Sequence, residues 1–225
     1  RAALEDIWSR GSFAWLVGGT GQYIWGLLED WRVPEVPPDL EFRAELVAIA
    51  DSDGPEALHG RLAHVDPLAA SRIDARNIRR VVRAIEVFER TGRPISEWQT
   101  KGQPDFEYLL FGVSVPKNVL DERIAARVDA MIADGLVGEV ERLRDAGIPS
   151  EAPAFSSIGY AQVLQHLGGA LTLTQAIDEA ARATRRLARR QAQWFRPGDP
   201  RIRWVAGSTE MELDAGAFTR VSASH

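Results

Sequence analysis

The sequence predicts an α/β protein whose core is interrupted by an all-helical insertion. Three observations favour this fold class. An apolar run over residues 13–17 leads through a glycine-rich turn into a helix-like stretch, a second strand-like run covers residues 108–115, and residues 39–90 between them are helical throughout. Strands that alternate with helices are typical of α/β folds, and a long helical interruption indicates an inserted domain.

The first part of the chain is predicted to form a strand, a tight turn and a helix. Residues 18–21, which read Gly-Gly-Thr-Gly, form the turn, and a helix is expected over residues 23–29. Prolines at positions 34, 37 and 38 then interrupt the chain as a linker would. These prolines mark the start of the insertion.

The insertion consists of helices with recognisable limits. Pro55 and Pro67 lie where helices start. The Thr91-Gly92 pair ends the last helix of the segment, because glycine readily adopts the left-handed conformation that follows a helix. We therefore predict three parts: α/β core residues 1–33, helical insertion residues 34–92, and α/β core with C-terminal helices over residues 93–225.

The last part of the chain is predicted to return to the core with one strand and four helices. The strand covers residues 108–115. Thr174 is expected to cap the longest helix, which ends before Pro197-Gly198. The four helices are expected over residues 118–133, 136–146, 157–167 and 174–196.

Composition narrows the classes of protein to which the chain can belong. Its 225 residues carry a formal net charge of −5, which by itself argues against nucleic-acid binding. The absence of cysteine excludes disulfides, cysteine-bound zinc and thiol catalysis. No apolar run approaches the roughly 18 residues of a membrane span and no signal peptide opens the chain, so we expect a soluble, cytoplasmic protein. Because the chain starts at Arg1 within helix-like residues, we expect a piece of a longer protein.

Positive charge is nevertheless concentrated on two predicted helix faces. Residues 182–203 contain eight arginines and one acid, Asp199, a net charge of +7. On a helix, five of these arginines fall within an arc of about 140°. A second arginine face lies on residues 77–90, opposite the apolar side chains of that helix. Such faces suggest a polyanion site, although solvated faces with acidic partners explain them equally well. Glu86 and Glu89 are expected near the apolar edge, where they do not neutralise the second face.

One arginine is predicted on the wrong side of its helix. Arg127 falls inside the apolar arc of the helix over residues 118–133, where an isolated charge is costly. It pairs with a carboxylate, extends past the apolar surface so that its charged end reaches water, or serves a pocket for an anionic ligand. The turn at residues 18–21 also has two interpretations, a plain connection or an anion site at a helix N-terminus. No Walker A loop, metal-ligand spacing of histidines or nucleophile elbow occurs in the chain.

Seven motifs, in order, resemble those of the tRNA dimethylallyltransferase family. Each is weak alone, but the ordered set is specific. They are residues 16–23 (LVGGTGQY), 66–73 (DPLAASRI), 79–87 (RRVVRAIEV), 91–96 (TGRPIS), 123–128 (RIAARV), 158–160 (IGY) and 184–196 (TRRLARRQAQWFR).

The resemblance implies a P-loop-kinase-like α/β core, in which helices flank a parallel sheet and the helical insertion grips the tRNA anticodon stem-loop. It implies transfer of a dimethylallyl group from dimethylallyl diphosphate, with Mg²⁺, to the N6 amine of the adenosine 3′-adjacent to the anticodon. The target base is flipped into a channel. The family's Walker-A-like loop and its D-S-x-Q-x-Y motif, whose aspartate is the general base, have no counterpart in this chain. We therefore expect the chain alone to bind tRNA as a monomer without catalysing the reaction.

The resemblance also assigns roles to matched positions. Arg127 neutralises charge on the diphosphate, Gly18 and Gly19 lie along it, and Thr20 lines the channel beside the target base. The positions matched to tRNA contacts are Arg43, Arg79, Arg80, Val81, Val82, Arg83, Ser156, Ser157, Ile158, Gly159, Tyr160, Ala161, Arg185, Arg189, Arg190, Gln191, Gln193, Trp194 and Arg196.

Two other functions compete with the transferase. The arginine faces would also suit a non-catalytic RNA-binding module, or the lid of a P-loop nucleotide kinase relative. The DNA that precedes the codon of Arg1 distinguishes them. A P-loop together with D-S-x-Q-x-Y favours the transferase, a start codon favours the binding module, and a P-loop alone favours the kinase.

Overall fold

The computed structural model describes residues 1–98 and 100–207, which form two compact units. The first unit is Arg1–Phe106 and the second begins at Glu107. The chain thus divides after residue 106, later than the expected limit of the insertion at residue 92. Residues 1–33 also belong to the same unit as the helices that follow them, so the three-part division stays a prediction.

The described part of the first unit is helical. A short N-terminal helix and the helix after the glycine turn come first, followed by five helices within residues 40–98. They are α1 Ala2–Ser9, α2 Gly21–Leu28, α3 Leu40–Asp53, α4 Pro55–Val65, α5 Pro67–Ala70, α6 Ile78–Thr91 and α7 Ile95–Trp98.

Local sequence signals set the ends of these helices. Asp39 caps α3, since its carboxylate accepts a hydrogen bond from the Phe42 N–H at 3.1 Å. Pro55 and Pro67 occupy the first positions of α4 and α5, as predicted. Gly92 follows α6 with a φ of 69°, a left-handed conformation that favours glycine.

Helices α3 to α6 share one apolar core. Leu58, Leu62 and Val81 are 0% exposed, and Leu46 and Ile85 are 1% exposed. These side chains form a single cluster against which the helix faces close. Burying a side chain of this size contributes about 1.5–3 kcal/mol, so this cluster is the main source of stability of the helical segment.

The strand predicted over residues 13–17 is wrong. These residues have no regular structure, and four of their side chains are 57–90% exposed. A strand requires hydrogen bonds to a neighbour, and within residues 1–98 and 100–207 only β1 and β2 pair in a sheet. An apolar run predicts burial, but a strand forms only beside a partner.

The second unit contains a parallel pair of strands joined by a helical crossover. The described elements are β1 Leu110–Ser114, α8 Lys117–Ala133, α9 Leu136–Asp145, a 3₁₀ helix Pro153–Ser156, α10 Tyr160–Leu167, α11 Leu173–Trp194 and β2 Ile202–Ala206. Gly112 of β1 pairs with Trp204 of β2. A Cβ at position 112 would lie 2.7 Å from the Trp204 ring, so the register requires glycine there.

The crossover helices are predicted well except at their starts. The long helix α11 begins one residue earlier than expected, because Thr172 rather than Thr174 caps it in a capping box with Gln175. Helix α10 begins at Tyr160 rather than at residue 157. Helices α8 and α11 pack through Ile124, Val128, Ala180 and Ala181.

Candidate functional site

Arg127 is exposed and lacks a protein partner in the described part of the chain. The sequence predicted an ion pair, a side chain whose charged end reaches water, or a pocket for an anion. Among residues 1–98 and 100–207, no carboxylate or carbonyl accepts a hydrogen bond from its guanidinium. Its neighbours on the same face of α8, Ile124 and Val128, are 6% exposed. The guanidinium therefore stands at the edge of an apolar surface, free to take a ligand.

A cavity of about 210 Å³ opens beside Arg127. It lies among α8, α10 and α11, and most of its lining is aliphatic. Three of the sequence motifs meet at its wall, the ones that contain Arg127, Gly159 and Thr184. The lining residues are Ile124, Arg127, Val128, Met131, Ile132, Leu136, Ile158, Gly159, Val163, Ala176, Ile177, Ala180, Thr184 and Leu187.

Gly159 has a steric role at this wall. It is buried with a φ of 99°, a left-handed conformation, and a Cβ there would lie 3.3 Å from the Met131 Cε. The next residue, Tyr160, donates a hydrogen bond to Glu139, which raises the pKa of the Tyr160 hydroxyl. These contacts hold the chain between the 3₁₀ helix and α10. The remaining matched positions of this segment are the exposed Ser156 and Ser157 and the half-buried Ile158 and Ala161.

The glycine turn leads directly into α2. Thr20 is extended, with φ −84° and ψ 95°, and its side chain makes no capping bond. Tyr23 and Ile24 donate their N–H groups to the Thr20 carbonyl at 3.0 and 3.2 Å, so only the N–H groups of Gly21 and Gln22 have no acceptor among the described residues. Thr20 and Gly18 are exposed, and Gly19 is half-buried. The geometry is compatible with both interpretations of the turn.

The arginines on α6 and just before it divide into two groups. Arg79 and Arg80 are exposed, and their side chains contact no acid in the described residues. Arg90 pairs with Asp39, and Arg76 pairs with Asp74 at 2.9 Å. The hydrogen bonds from Arg76 lower the pKa of Asp74 to about 2. Arg79 and Arg80 therefore carry the positive charge of this face that the described acids leave unpaired.

Glu86 is buried and does not lie where the sequence predicted it. It was expected at the apolar edge without neutralising the arginines, but it is 0% exposed and bound by two of them. Arg43 donates to its two oxygens through Nε and Nη2, both at 2.8 Å, and Arg83 donates through Nη1 at 2.6 Å. Burial raises the pKa of Glu86, but the hydrogen bonds from the two arginines outweigh burial and hold the pKa below its usual value.

The burial of Glu86 could have been suspected from its neighbours. It stands between Ile85 and Val87 at an apolar position of α6, three residues after Arg83. A carboxylate in such a position needs cationic partners, and the i,i+3 spacing supplies one. The second partner, Arg43, lies 43 residues away in sequence, so local patterns do not reveal it.

Val81 and Val82 differ from the arginines matched to tRNA contacts. They are 0% and 4% exposed and belong to the core of the helical segment. Their side chains are therefore unavailable to a ligand, and the arginines on either side of them carry the polar chemistry of this stretch.

The arginine face of α11 is also divided. Arg182 pairs with Glu179 at 2.9 Å, and Arg185 pairs with Asp121 of α8 at 3.2 Å. Further along the helix, Arg186, Arg189 and Arg190 are exposed, and no acid of the described residues pairs with them. The prediction of acidic partners is thus correct for Arg182 and Arg185. The guanidinium groups of the later turns of α11 have no acidic partner among the described residues.

The end of α11 extends this basic surface. Gln193, Trp194 and Arg196 are exposed, and Gln191 is half-buried. Trp194 is 42% exposed, an unusual degree for so large an apolar ring. The Arg196 Nε lies 3.5 Å from the Gln193 carbonyl, so this guanidinium is only weakly held. Amide, indole and guanidinium groups lie together in one stretch of chain, and such groups contact both phosphates and bases in RNA.

The described residues offer no ligand set for a metal ion. No group of three or more His, Cys, Asp or Glu side chains within residues 1–98 and 100–207 could hold one. Mg²⁺ therefore stays a prediction, and no step is assigned to it. In the same residues, no helix is both long and apolar enough to cross a membrane.

Comparisons with known proteins agree with the motif pattern. A family model described as IPP transferase matches residues 1–198. A tRNA dimethylallyltransferase of Thermomicrobium roseum is 45% identical over 194 residues, which are 86% of this chain and 59% of that protein. Another, from Salinispora tropica, is 47% identical over 210 residues, 92% of this chain and 65% of that protein. The chain thus spans about three fifths to two thirds of the length of these relatives.

A solved structure supports the fold. That of a eukaryotic dimethylallyltransferase acting on tRNA matches 99% of this chain and 58% of its own, with a TM-score of 0.74 and 25% sequence identity. Together with the parallel strand pair and its flanking helices, this match confirms the α/β fold class.

Proposed function

We propose that this chain, which belongs to the IPP transferase family, contributes to a tRNA dimethylallyltransferase. The whole protein would transfer a dimethylallyl group from dimethylallyl diphosphate to the N6 amine of the adenosine 3′-adjacent to the anticodon. The bond between carbon 1 of the dimethylallyl group and its bridging oxygen breaks, and both electrons stay on the diphosphate. The N6 lone pair forms the new bond to carbon 1, and N6 loses a proton. No residue of the described segments is assigned to accept that proton.

The observation that carries the proposal is the position of Arg127. It is a guanidinium without an acidic partner among the described residues, at the mouth of a cavity where three family motifs meet. Such a group suits a diphosphate, because negative charge grows on this leaving group as the carbon–oxygen bond breaks. Gly18, Gly19 and Thr20 precede a helix whose N-terminal N–H groups suit the same kind of anion. Thr20 is proposed to lie beside the target base.

The unpaired arginines are proposed to bind tRNA phosphates. Arg79 and Arg80 on α6, and Arg189 and Arg190 on α11, are exposed and have no acidic partner in the described residues. Arginine suits this role because its planar fork binds phosphate oxygens in pairs. The anticodon stem-loop is the proposed ligand, since its phosphates surround the target adenine. Ser156, Ser157 and the residues at the end of α11 are proposed to lie along it.

Binding of an anticodon stem-loop RNA tests this proposal. Replacing Arg189 and Arg190 by alanine should weaken binding and lower the salt slope of the association constant by about two, one for each lost phosphate contact. Arg142→Ala is the matched control, since Arg142 is exposed on α9 of the same unit and belongs to neither arginine face. A hairpin with uridine in place of the target adenine measures recognition of the base. Unchanged affinity and slope in the double variant would refute the interface.

A further inference from the structure

Glu86 connects three separate parts of the first unit. Its carboxylate accepts the Asp39 N–H at 2.8 Å, Arg43 of α3 at 2.8 Å through two nitrogens, and Arg83 of α6 at 2.6 Å. Arg83 in turn donates to the carbonyl oxygens of Val36 at 3.0 Å and Pro34 at 3.4 Å. Hydrogen bonds to this fully buried carboxylate and to Arg83 thus connect residues 34–39, called the proline segment, with α3 and α6.

The two arginines use their N–H groups differently in these hydrogen bonds. Arg83 gives Nη1 and Nη2 to Glu86 and to the proline segment, so it acts as a clamp. Arg43 gives Nε and Nη2 to Glu86, while its Nη1 donates to no residue in the described part of the chain. The Arg43 side chain is 35% exposed. It therefore presents the unused edge of its guanidinium to solvent in a fixed orientation.

The charges favour an anionic ligand at this edge. Two guanidinium groups share one carboxylate, which leaves a local charge of +1 held by a bidentate contact. A guanidinium that is already oriented loses less entropy when it binds a phosphate than one that must be ordered. Arg79 and Arg80, exposed on α6 of the same unit, add to this charge.

We infer that Glu86 is a positioning residue, which orients Arg43 for contact with a tRNA phosphate. This inference rests on the proposed function, because it assumes that the first unit binds the anticodon stem-loop. The direction in which RNA affinity changes when Glu86 loses its charge tests this role. Glu86 is negative, so removing its charge should strengthen the attraction of a polyanion if only net charge mattered. If Glu86 acts by orienting Arg43, removing its charge should weaken binding.

The stem-loop affinities of Glu86→Gln and Glu89→Gln show whether removing a negative charge weakens or strengthens binding at each position. Glu89 is exposed on the same helix, and its substitution removes the same charge without touching Arg43. We expect Glu86→Gln to bind the stem-loop about tenfold more weakly, with the salt slope lowered by about one, whereas Glu89→Gln binds equally or more tightly. Equal or tighter binding by Glu86→Gln would overturn the inference.

A double variant identifies the residue through which Glu86 acts. In an Arg43→Ala background, Glu86→Gln should not weaken binding further, because no oriented guanidinium remains to be lost. A further loss of the same size there would overturn the inference. If Glu86→Gln does not fold, Arg43→Lys decides instead, because it keeps the charge and loses the fork. Weaker binding by Arg43→Lys supports positioning, and unchanged binding refutes it. If the whole protein that contains the unsubstituted chain fails to bind the stem-loop, the proposed function itself is refuted.

Discussion

Replacing Arg127 by alanine separates a ligand-binding role from a structural one. The guanidinium is exposed and makes no ion pair with the described residues, so its removal leaves no buried group without a partner. We therefore expect the stability to change by no more than about 0.5 kcal/mol. A structural partner in a buried ion pair would instead cost about 3–5 kcal/mol.

The effect on catalysis should be much larger than the effect on stability. A contact that strengthens as charge grows on the diphosphate acts mainly on turnover. Losing one such preorganised contact costs about 10²- to 10³-fold in rate. Arg127→Lys should restore only part of the loss, since an ammonium group does not reproduce the guanidinium fork.

Three measurements on one preparation decide between the roles. The melting temperature and the dissociation constant of the stem-loop are measured on the chain, and single-turnover prenyl transfer is measured on the whole protein that contains it. Arg142→Ala, on α9, controls for the loss of an exposed arginine. Arg127 has a structural role, and not the proposed one, if Arg127→Ala melts several degrees lower and loses tRNA affinity while the folded fraction keeps normal turnover.

Three further predictions concern the fold that carries the site. Asp66→Ala should destabilise the chain by about 2–4 kcal/mol in urea unfolding, because it removes the cap of α5 and the acceptor of the Ser96 N–H and hydroxyl; a loss below about 0.5 kcal/mol would contradict this. Gly112→Ala should cost about 1–3 kcal/mol, since the new Cβ would lie 2.7 Å from the Trp204 ring, and an unchanged melting temperature would disprove the clash. The lowered pKa of Glu86 means that its two ion pairs stabilise the fold above the unfolded pKa of about 4.3 and are lost as the pH falls below it. The stability gap between the unsubstituted chain and Glu86→Gln should therefore narrow on acidification, and a gap that stays constant to pH 3 would refute the assignment.

The arginine faces of α6 and α11 were predictable from the sequence, but some of their ion pairs were not. Both arginine faces were expected from helical periodicity, and both exist on α6 and α11. The pairing of Arg43 and of Arg185 was not predictable, because their acidic partners come from distant parts of the chain. Likewise, only the tertiary structure shows that Arg127 is exposed and has no carboxylate partner among the described residues.

Sequence alone determined the helices, because a helix is closed by hydrogen bonds between residues four apart and is limited by local caps. Pro55, Pro67 and Gly92 marked their ends correctly. Sequence also determined the family, through the order of seven short motifs. The sequence predicted β1, but tertiary structure alone decided the partner of that strand and the charge pairs between distant residues. The run at residues 13–17 is no strand and β2 went unpredicted, since a strand depends on a neighbour that may be far along the chain. The buried position of Glu86 also depends on tertiary structure, because Arg43 reaches its carboxylate only when α3 and α6 are packed together.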